Sequence, residues 1–139
     1  MKMIKLTEPE LFNIIPKYLF EQVEGRSYTV DRLYKLAPFV VNTNHFMWVY
    51  VNDENEIKGV LWITLDILSE KVNVIVFSTD KEYEISRTEV LEFLRDFIAK
   101  FNENSEYVEL KDKVNWVTNE PDSFKELGGK VPETVLVEV

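Results

Sequence analysis

The alternation of apolar and polar residues predicts an antiparallel meander in the middle of the chain. The segment His45–Val51 is rich in aromatic and β-branched residues, which are typical of strands. A polar segment at residues 52–56 separates it from a longer strand-like run at residues 57–68. Two such runs joined by a short polar turn form an antiparallel hairpin. A second turn at residues 69–71 leads to a third strand at residues 72–77.

Helical periodicity precedes this meander. Residues 7–10 (TEPE) form a capping box with proline in the first turn, and apolar residues recur on one helical face over residues 11–19. Pro16 lies inside the pattern, so it kinks the helix or ends it early. A second, shorter helix is predicted over residues 30–37, ending before Pro38. A short strand at residues 1–6 opens the chain.

The clearest helix follows the meander. Ser86 and Glu89 form a capping box, and apolar residues then recur at helical spacing until residues 102–104 end the pattern. The remaining elements are strand-like residues 107–110 and 114–117, either one strand or two, a short helix at 121–127, and a final alternating strand through Val135, Val137 and Val139. The predicted order is β-α-α-β-β-β-α-β-α-β. This order is typical of an α/β or α+β fold in which a meander is followed by β-α-β crossovers.

Composition narrows the class of protein. The chain has 139 residues, with 16 Lys and Arg against 25 Asp and Glu, and 45% hydrophobic content, which indicates one acidic globular domain over residues 1–139. The absence of cysteine and the single histidine exclude disulfides, thiolate sites and multi-histidine metal sites, so we expect no metal. The charge balance disfavours nucleic acid. Without a long apolar run or signal peptide we expect no membrane contact and a cytoplasmic location.

This order of elements resembles the GNAT superfamily, the Gcn5-related N-acetyltransferases. The resembling segments are the hairpin NDENEIKGVLWI, the strand–loop–helix segment NVIVFSTDKEYEISRTEVLEFLRDFI, and the C-terminal segment SFKELGGKV. The resemblance covers nearly the whole chain in order and length. It implies a single-domain GNAT-like fold of the α/β (α+β) class. Its mixed sheet would combine an antiparallel meander with a splayed β-α-β half.

The resemblance also implies an activity and a binding site. In the family, a gap between the fourth and fifth strands receives the pantetheine arm of acetyl-CoA, and a glycine-bearing loop with the following helix start receives the pyrophosphate. The acyl group then passes to an amine. For this chain, the resemblance implies that the cofactor-binding residues are Val76, Phe77, Ser78 and Thr79 at the strand exit, with Ser86 and Arg87 at the helix start.

The chain departs from the family pattern, which makes it a diverged member. The loop at residues 80–86 contains no glycine, so its backbone cannot easily aim several N–H groups at one phosphate. Acidic residues crowd the helix start and would repel a pyrophosphate. The family's tyrosine, often the acid that protonates the thiolate, falls on Phe124, and the aromatic residue after its glycine falls on Gly129.

Three residues are candidates for proton transfer. Asp66 lies in an apolar strand, and if buried it would have a raised pKa and could accept an amine proton; otherwise it is a strand end that faces water. Tyr83 is a candidate replacement acid or a platform for adenine. His45 is either a general base or, as is more usual for a lone histidine beside a strand, a surface or structural residue.

Two functions of different classes follow. The first is a diverged GNAT-type N-acyltransferase that acetylates a cationic amine, either a small molecule or a lysine side chain. The alternative is a catalytically inactive GNAT-like fold, a pseudoenzyme whose acidic surface docks a basic protein partner. A third reading, another small α+β domain, would show no gap between the fourth and fifth strands. The C-terminal strand could pair between copies, so both monomer and homodimer are open.

Overall fold

The computed structural model describes residues 2–7, 44–80, 82–83, 85–116, 118, 121–130 and 137–139. Within these residues the elements, numbered in chain order, are β1 (Lys2–Lys5), β2 (His45–Val51), β3 (Ile57–Asp66), β4 (Lys71–Thr79), α1 (Arg87–Asn104), β5 (Val114–Trp116) and a 3-10 helix (Pro121–Leu127). The two helices predicted between residues 7 and 37 lie outside the described residues.

The strands form one mixed sheet in the order β1-β2-β3-β4-β5. The first four strands pair antiparallel, and β4 pairs with β5 in parallel, so α1 is the crossover between them. The predicted α+β architecture, with a meander followed by a β-α-β unit, is therefore confirmed.

Several element bounds differ from the prediction for local reasons. Strand β3 ends at Asp66 because its carboxylate accepts the N–H groups of Leu68 and Ser69, at 3.1 and 3.2 Å, and so begins a turn. The predicted short helix is a 3-10 helix. Residues 137–139 form no strand, and the rest of that predicted strand lies outside the described residues.

Residues 107–110 are also not a strand. The side chain of Asn102, near the end of α1, accepts the N–H of Leu110 at 2.7 Å and donates to its carbonyl oxygen at 3.0 Å. Asn102 already forms hydrogen bonds with both the N–H and the carbonyl oxygen of Leu110. These two groups therefore need no partner on a neighbouring strand. Strand β5 is therefore short and begins only at Val114.

Both faces of the sheet are buried. On one face the helix α1 packs with Val90, Leu94 and Ile98, and the sheet contributes Leu61, Ile63, Leu65, Val72 and Val74, as the period of the sequence predicts. On the other face the buried side chains are Met47, Val49, Val51, Val60, Trp62 and Val76. The second face of β3 is thus also core at Trp62.

Candidate functional site

In the described part of the chain, strand β5 pairs only with the first part of β4. Among the described residues their pairing covers Val72–Val74 of β4, and the last described pair is Val74–Trp116, whereas β4 runs on to Thr79. The end of β4 therefore extends past its pairing with β5, at the side of the sheet that leads into the start of α1. The family resemblance places the gap between the fourth and fifth strands here.

A β-bulge lies where the pairing ends. On β3, Trp62 pairs with Val76 and Ile63 pairs with Val74, so Ile75 is an extra residue without a register partner on β3. The extra residue shifts the alternation of side chains. Before the bulge Val74 belongs to the core under α1, and after it Phe77 packs against that same core. The bulge thus turns Phe77 toward α1 at the mouth of the gap.

Three aromatic rings lie across the gap, and we call Phe77, Trp116 and Phe124 the aromatic wall. The ring of Trp116 meets that of Phe77 edge-on, with centroids 5.7 Å apart, and meets that of Phe124 at 5.2 Å. These distances are typical of attractive aromatic pairs. The guanidinium of Arg87 lies over the Phe124 ring at 4.5 Å. The wall therefore links β4, β5, the 3-10 helix and the first residue of α1.

The start of α1 is capped as the sequence predicts. The hydroxyl of Ser86 accepts the N–H of Glu89 at 3.2 Å and donates to the Glu89 carboxylate at 3.4 Å. A helix start leaves its first N–H groups without helical partners. The cap occupies one of these groups and places a carboxylate beside it.

The loop between β4 and α1 is tied to β3. The N–H of Asp80 donates to the Lys58 carbonyl oxygen at 2.7 Å, and the N–H of Tyr83 donates to the Asp80 carbonyl oxygen at 2.9 Å. The ammonium of Lys58 lies 3.7 Å from the Asp80 carboxylate and 5.4 Å from the centre of the Tyr83 ring. Tyr83 is thus half-buried against a lysine that sequence reasoning did not single out.

Tyr50 lies beneath the start of α1 and contacts the aromatic wall. Its ring centroid is 6.3 Å from that of Phe77. Burial, followed by the negative charge of Glu89, raises the pKa of Tyr50 to about 12. Its phenol therefore keeps its proton throughout the physiological range.

The structure separates Asp66 from the other predicted site residues. Asp66 pairs with Lys71 at the opposite end of the β3–β4 hairpin, on the order of 20 Å along the strand from the β4 exit. It is exposed, and hydrogen bonds from Ser69 hold its pKa below the usual value. Of the two alternatives that the sequence left open for Asp66, the structure therefore has the strand end that faces water, and Asp66 is a turn residue.

The remaining predicted residues do come together around the gap. Phe77, Ser78 and Thr79 form the exit of β4, and Ser86 and Arg87 begin α1. Val76 lies in the same stretch, but its side chain is buried at 4% exposure. The bulge at Ile75 was not predicted, because alternation across residues 72–77 gives no sign of an extra residue.

His45 has a structural role at the start of β2. The indole N–H of Trp62 donates to Nδ1 of His45 at 3.0 Å. An indole nitrogen only donates, so Nδ1 must be the acceptor and any ring proton sits on Nε2. Burial lowers the pKa of His45 below its ordinary value of 6.5.

Acidification is therefore expected to weaken the fold at His45. Because the folded pKa lies below 6.5, the contribution of neutral His45 is complete above pH 6.5 and is lost as the pH falls through the lower folded value. His45→Gln keeps an acceptor for the indole but does not titrate. Urea unfolding measured across this pH range should show that the free energy of unfolding of the wild type falls, relative to that of His45→Gln, as the pH is lowered. A difference that stays constant with pH would contradict the assignment.

Two kinds of site are not found in the described part of the chain. No three acidic or histidine side chains there are grouped so that they could hold a metal ion. Nor does any helix there combine the length and apolar character that crossing a membrane requires.

Comparison with solved structures identifies the fold. No protein-family model and no curated protein matches the chain. A possible acetyltransferase from Clostridium difficile 630 superposes with a TM-score of 0.64 at 13% identity, covering 99% of this chain and 95% of that one. A predicted acetyltransferase from Clostridium acetobutylicum, solved with acetyl-CoA, gives 0.63 at 14% identity and the same coverage.

A third similar structure carries a ligand that joins donor and acceptor. AAC(6')-Iy, solved with the bisubstrate analogue CoA-S-monomethyl-acetylneamine, gives a TM-score of 0.62 at 10% identity, covering 100% of this chain and 98% of that one. At such identities the likeness establishes the fold. The GNAT-like fold predicted from the order of elements is thereby confirmed.

Proposed function

We propose that the protein is an N-acyltransferase that moves an acetyl group from acetyl-CoA to an amine. The observation that carries the proposal is the gap between β4 and β5 beside the start of α1. It occurs on a fold shared with acetyltransferases, of which one was solved with acetyl-CoA and another with a CoA bisubstrate analogue.

The gap suits an extended chain that carries amide groups. Beyond Val74 no described residue of β5 pairs with β4, and the proposal is that the pantetheine arm lies along this part of the strand as a further strand would. The pantetheine arm of CoA has two amides and is of this kind. The aromatic wall supplies an apolar surface along the same opening. This mode of binding uses few side chains, so it tolerates the departures from the family pattern.

The reaction requires little beyond positioning, because a thioester is already activated. The amine nitrogen attacks the carbonyl carbon, a C–N bond forms and the C–S bond breaks. The amine gives up a proton and the departing thiolate takes one, so the step balances without another reactant. Tyr83, in the loop after β4, is the proposed acid for the thiolate, in place of the tyrosine that Phe124 replaces.

The amine proton goes to water in this proposal. Within the described residues no buried polar or charged side chain is found that could act as a base at the gap, and Asp66 lies at the far end of the hairpin. The attacking nitrogen must then be neutral when it reacts. Small-molecule polyamines suit this site, because their other ammonium groups remain charged and are attracted by the net charge of −9.

Acetyl-CoA is expected to stabilise the protein against heat and to be turned over with an amine. Ligand at a hundredfold excess over Kd stabilises the native state by about 2.7 kcal/mol, which is a shift of several degrees in Tm. Turnover is measured as free thiol released with a panel of polyamines, aminoglycosides and lysine peptides. Tyr83→Phe should lower kcat about 100-fold or more while the acetyl-CoA shift is retained.

The same measurements test the alternative of an inactive binding module. Absence of any acetyl-CoA shift and of turnover with the whole panel would reject the acyltransferase. Unchanged kcat in Tyr83→Phe would reject only Tyr83 as the acid. The similar structures described above are acetyltransferases and lend the alternative no support.

A further inference from the structure

The gap fits the pantetheine arm, but the start of α1 does not fit the diphosphate that follows it in CoA. A diphosphate site at a helix start needs N–H groups that face outward and no competing anion. Here Ser86 caps the N–H of Glu89, and the Glu89 carboxylate sits against the Ser86 hydroxyl. The Glu89 carboxylate thus lies at the helix start, where the phosphate groups of a ligand would otherwise be attracted.

Among its described residues, the loop backbone also lacks the geometry of an anion-binding nest. A nest requires residues whose φ angles alternate in sign, so that successive N–H groups converge. In the described part of the chain, positive φ angles occur only at Asn55, Glu70 and Gly128. None of these lies in the described portion of the loop between β4 and α1, which also lacks glycine.

The two described cations near the loop, Lys58 and Arg87, already contact other side chains. The ammonium of Lys58 is held by Asp80 at 3.7 Å, and its side chain is only 17% exposed. The guanidinium of Arg87 lies over Phe124. Glu82 belongs to the same loop, is exposed and adds a further negative charge. A diphosphate would have to displace these contacts and approach the carboxylates of Asp80, Glu82 and Glu89.

We propose that the donor is recognised through its pantetheine arm and that the nucleotide contributes little to affinity. The donor class is then a thioester carried on pantetheine, of which acetyl-CoA is one form. The inference rests on the proposed function, since it concerns the same gap. Its physical basis is that the arm is uncharged and pairs with main chain and aromatic rings, whereas the nucleotide end is polyanionic and meets carboxylates.

The test compares acetyl-CoA with S-acetylpantetheine, which ends before the first phosphate. By calorimetry the two Kd values are expected to agree within about threefold, which is less than one tenfold step in affinity. ADP and inorganic pyrophosphate should neither shift Tm nor compete with acetyl-CoA. Acetyl-CoA binding about 30-fold tighter or more than S-acetylpantetheine would overturn the inference.

A charge reversal gives an independent test. Glu82→Lys should tighten acetyl-CoA about three- to tenfold at low salt, because it replaces a repelling charge by an attracting one near the phosphates. Affinity for uncharged S-acetylpantetheine should not change. Glu103→Lys is the matched control, since it makes the same change at an exposed position near the other end of α1. Glu82→Lys without effect on acetyl-CoA would contradict the proposed place of the nucleotide end.

The outcomes separate the inference from the proposed function. If neither thioester binds or is turned over, the acyltransferase proposal fails. If acetyl-CoA binds tightly and S-acetylpantetheine does not, the acyltransferase stands and the inference fails. If both bind with similar affinity and both donate acetyl groups, the arm is the recognised part.

Discussion

Gly59→Ala is expected to destabilise the protein by about 1–3 kcal/mol and to disturb the exit of β4. A Cβ atom at this position would lie 2.8 Å from the Ser78 carbonyl oxygen, 2.8 Å from Cγ2 of Thr79 and 3.3 Å from Cδ2 of Tyr50. The carbonyl oxygen belongs to the main chain, so β4 itself must shift. Since this part of β4 borders the proposed donor site, affinity for acetyl-CoA should fall as well.

The measurement is urea unfolding together with an acetyl-CoA titration of the folded variant. Gly128→Ala is the control. Gly128 has a φ of +74° but nothing within 4 Å of an added Cβ, so alanine there costs only backbone strain of about 1 kcal/mol. Gly59→Ala that is as stable as the wild type, or that binds acetyl-CoA unchanged, would show that the close approach of β3 and β4 does not shape the site.

Trp116→Ala is expected to cost about 2–4 kcal/mol in stability and to weaken acetyl-CoA binding about tenfold or more. The indole is the middle ring of the aromatic wall, with Phe77 at 5.7 Å and Phe124 at 5.2 Å. Truncation removes both contacts and leaves the gap without its apolar side. Trp116→Phe retains an aromatic ring and should lie between the wild type and alanine.

The control for Trp116→Ala is Tyr107→Ala, which removes an aromatic ring that is 93% exposed. It should change neither the stability nor the binding of acetyl-CoA. Both quantities are measured on folded protein below its unfolding transition, so that loss of binding is not loss of fold. Tighter binding of acetyl-CoA by Trp116→Ala would show that the indole blocks the gap, which contradicts its role as a wall.

The local elements were predictable because they depend on short-range patterns. The meander of β2, β3 and β4 follows from runs of β-branched and aromatic residues separated by polar turns. The capping box at Ser86 follows from residue types at fixed spacing, and the structure has the same bond. The order of these elements was enough to predict the GNAT-like fold.

The structure differs from the expectations of a buried Asp66 and of a strand at residues 107–110 because side chains there form hydrogen bonds with main-chain groups outside the strand pairing. Asp66 was weighed as a buried acid from its apolar neighbours in sequence, yet its carboxylate accepts N–H groups of the turn that follows. Residues 107–110 have strand-like composition, but Asn102 bonds both main-chain groups of Leu110. In each case a hydrogen bond outside the strand pattern decided the conformation.

The sequence by itself determined the type and order of the meander strands and of α1, the acidic character of the chain and the absence of glycine from the loop before α1. The tertiary structure alone decided the bulge at Ile75, the end of β5 pairing at Val74 and the aromatic wall. It also decided how far Asp66 lies from the gap. The physical reason is that pattern and capping act over a few neighbouring residues, whereas a gap and its lining are made by strands far apart in the chain.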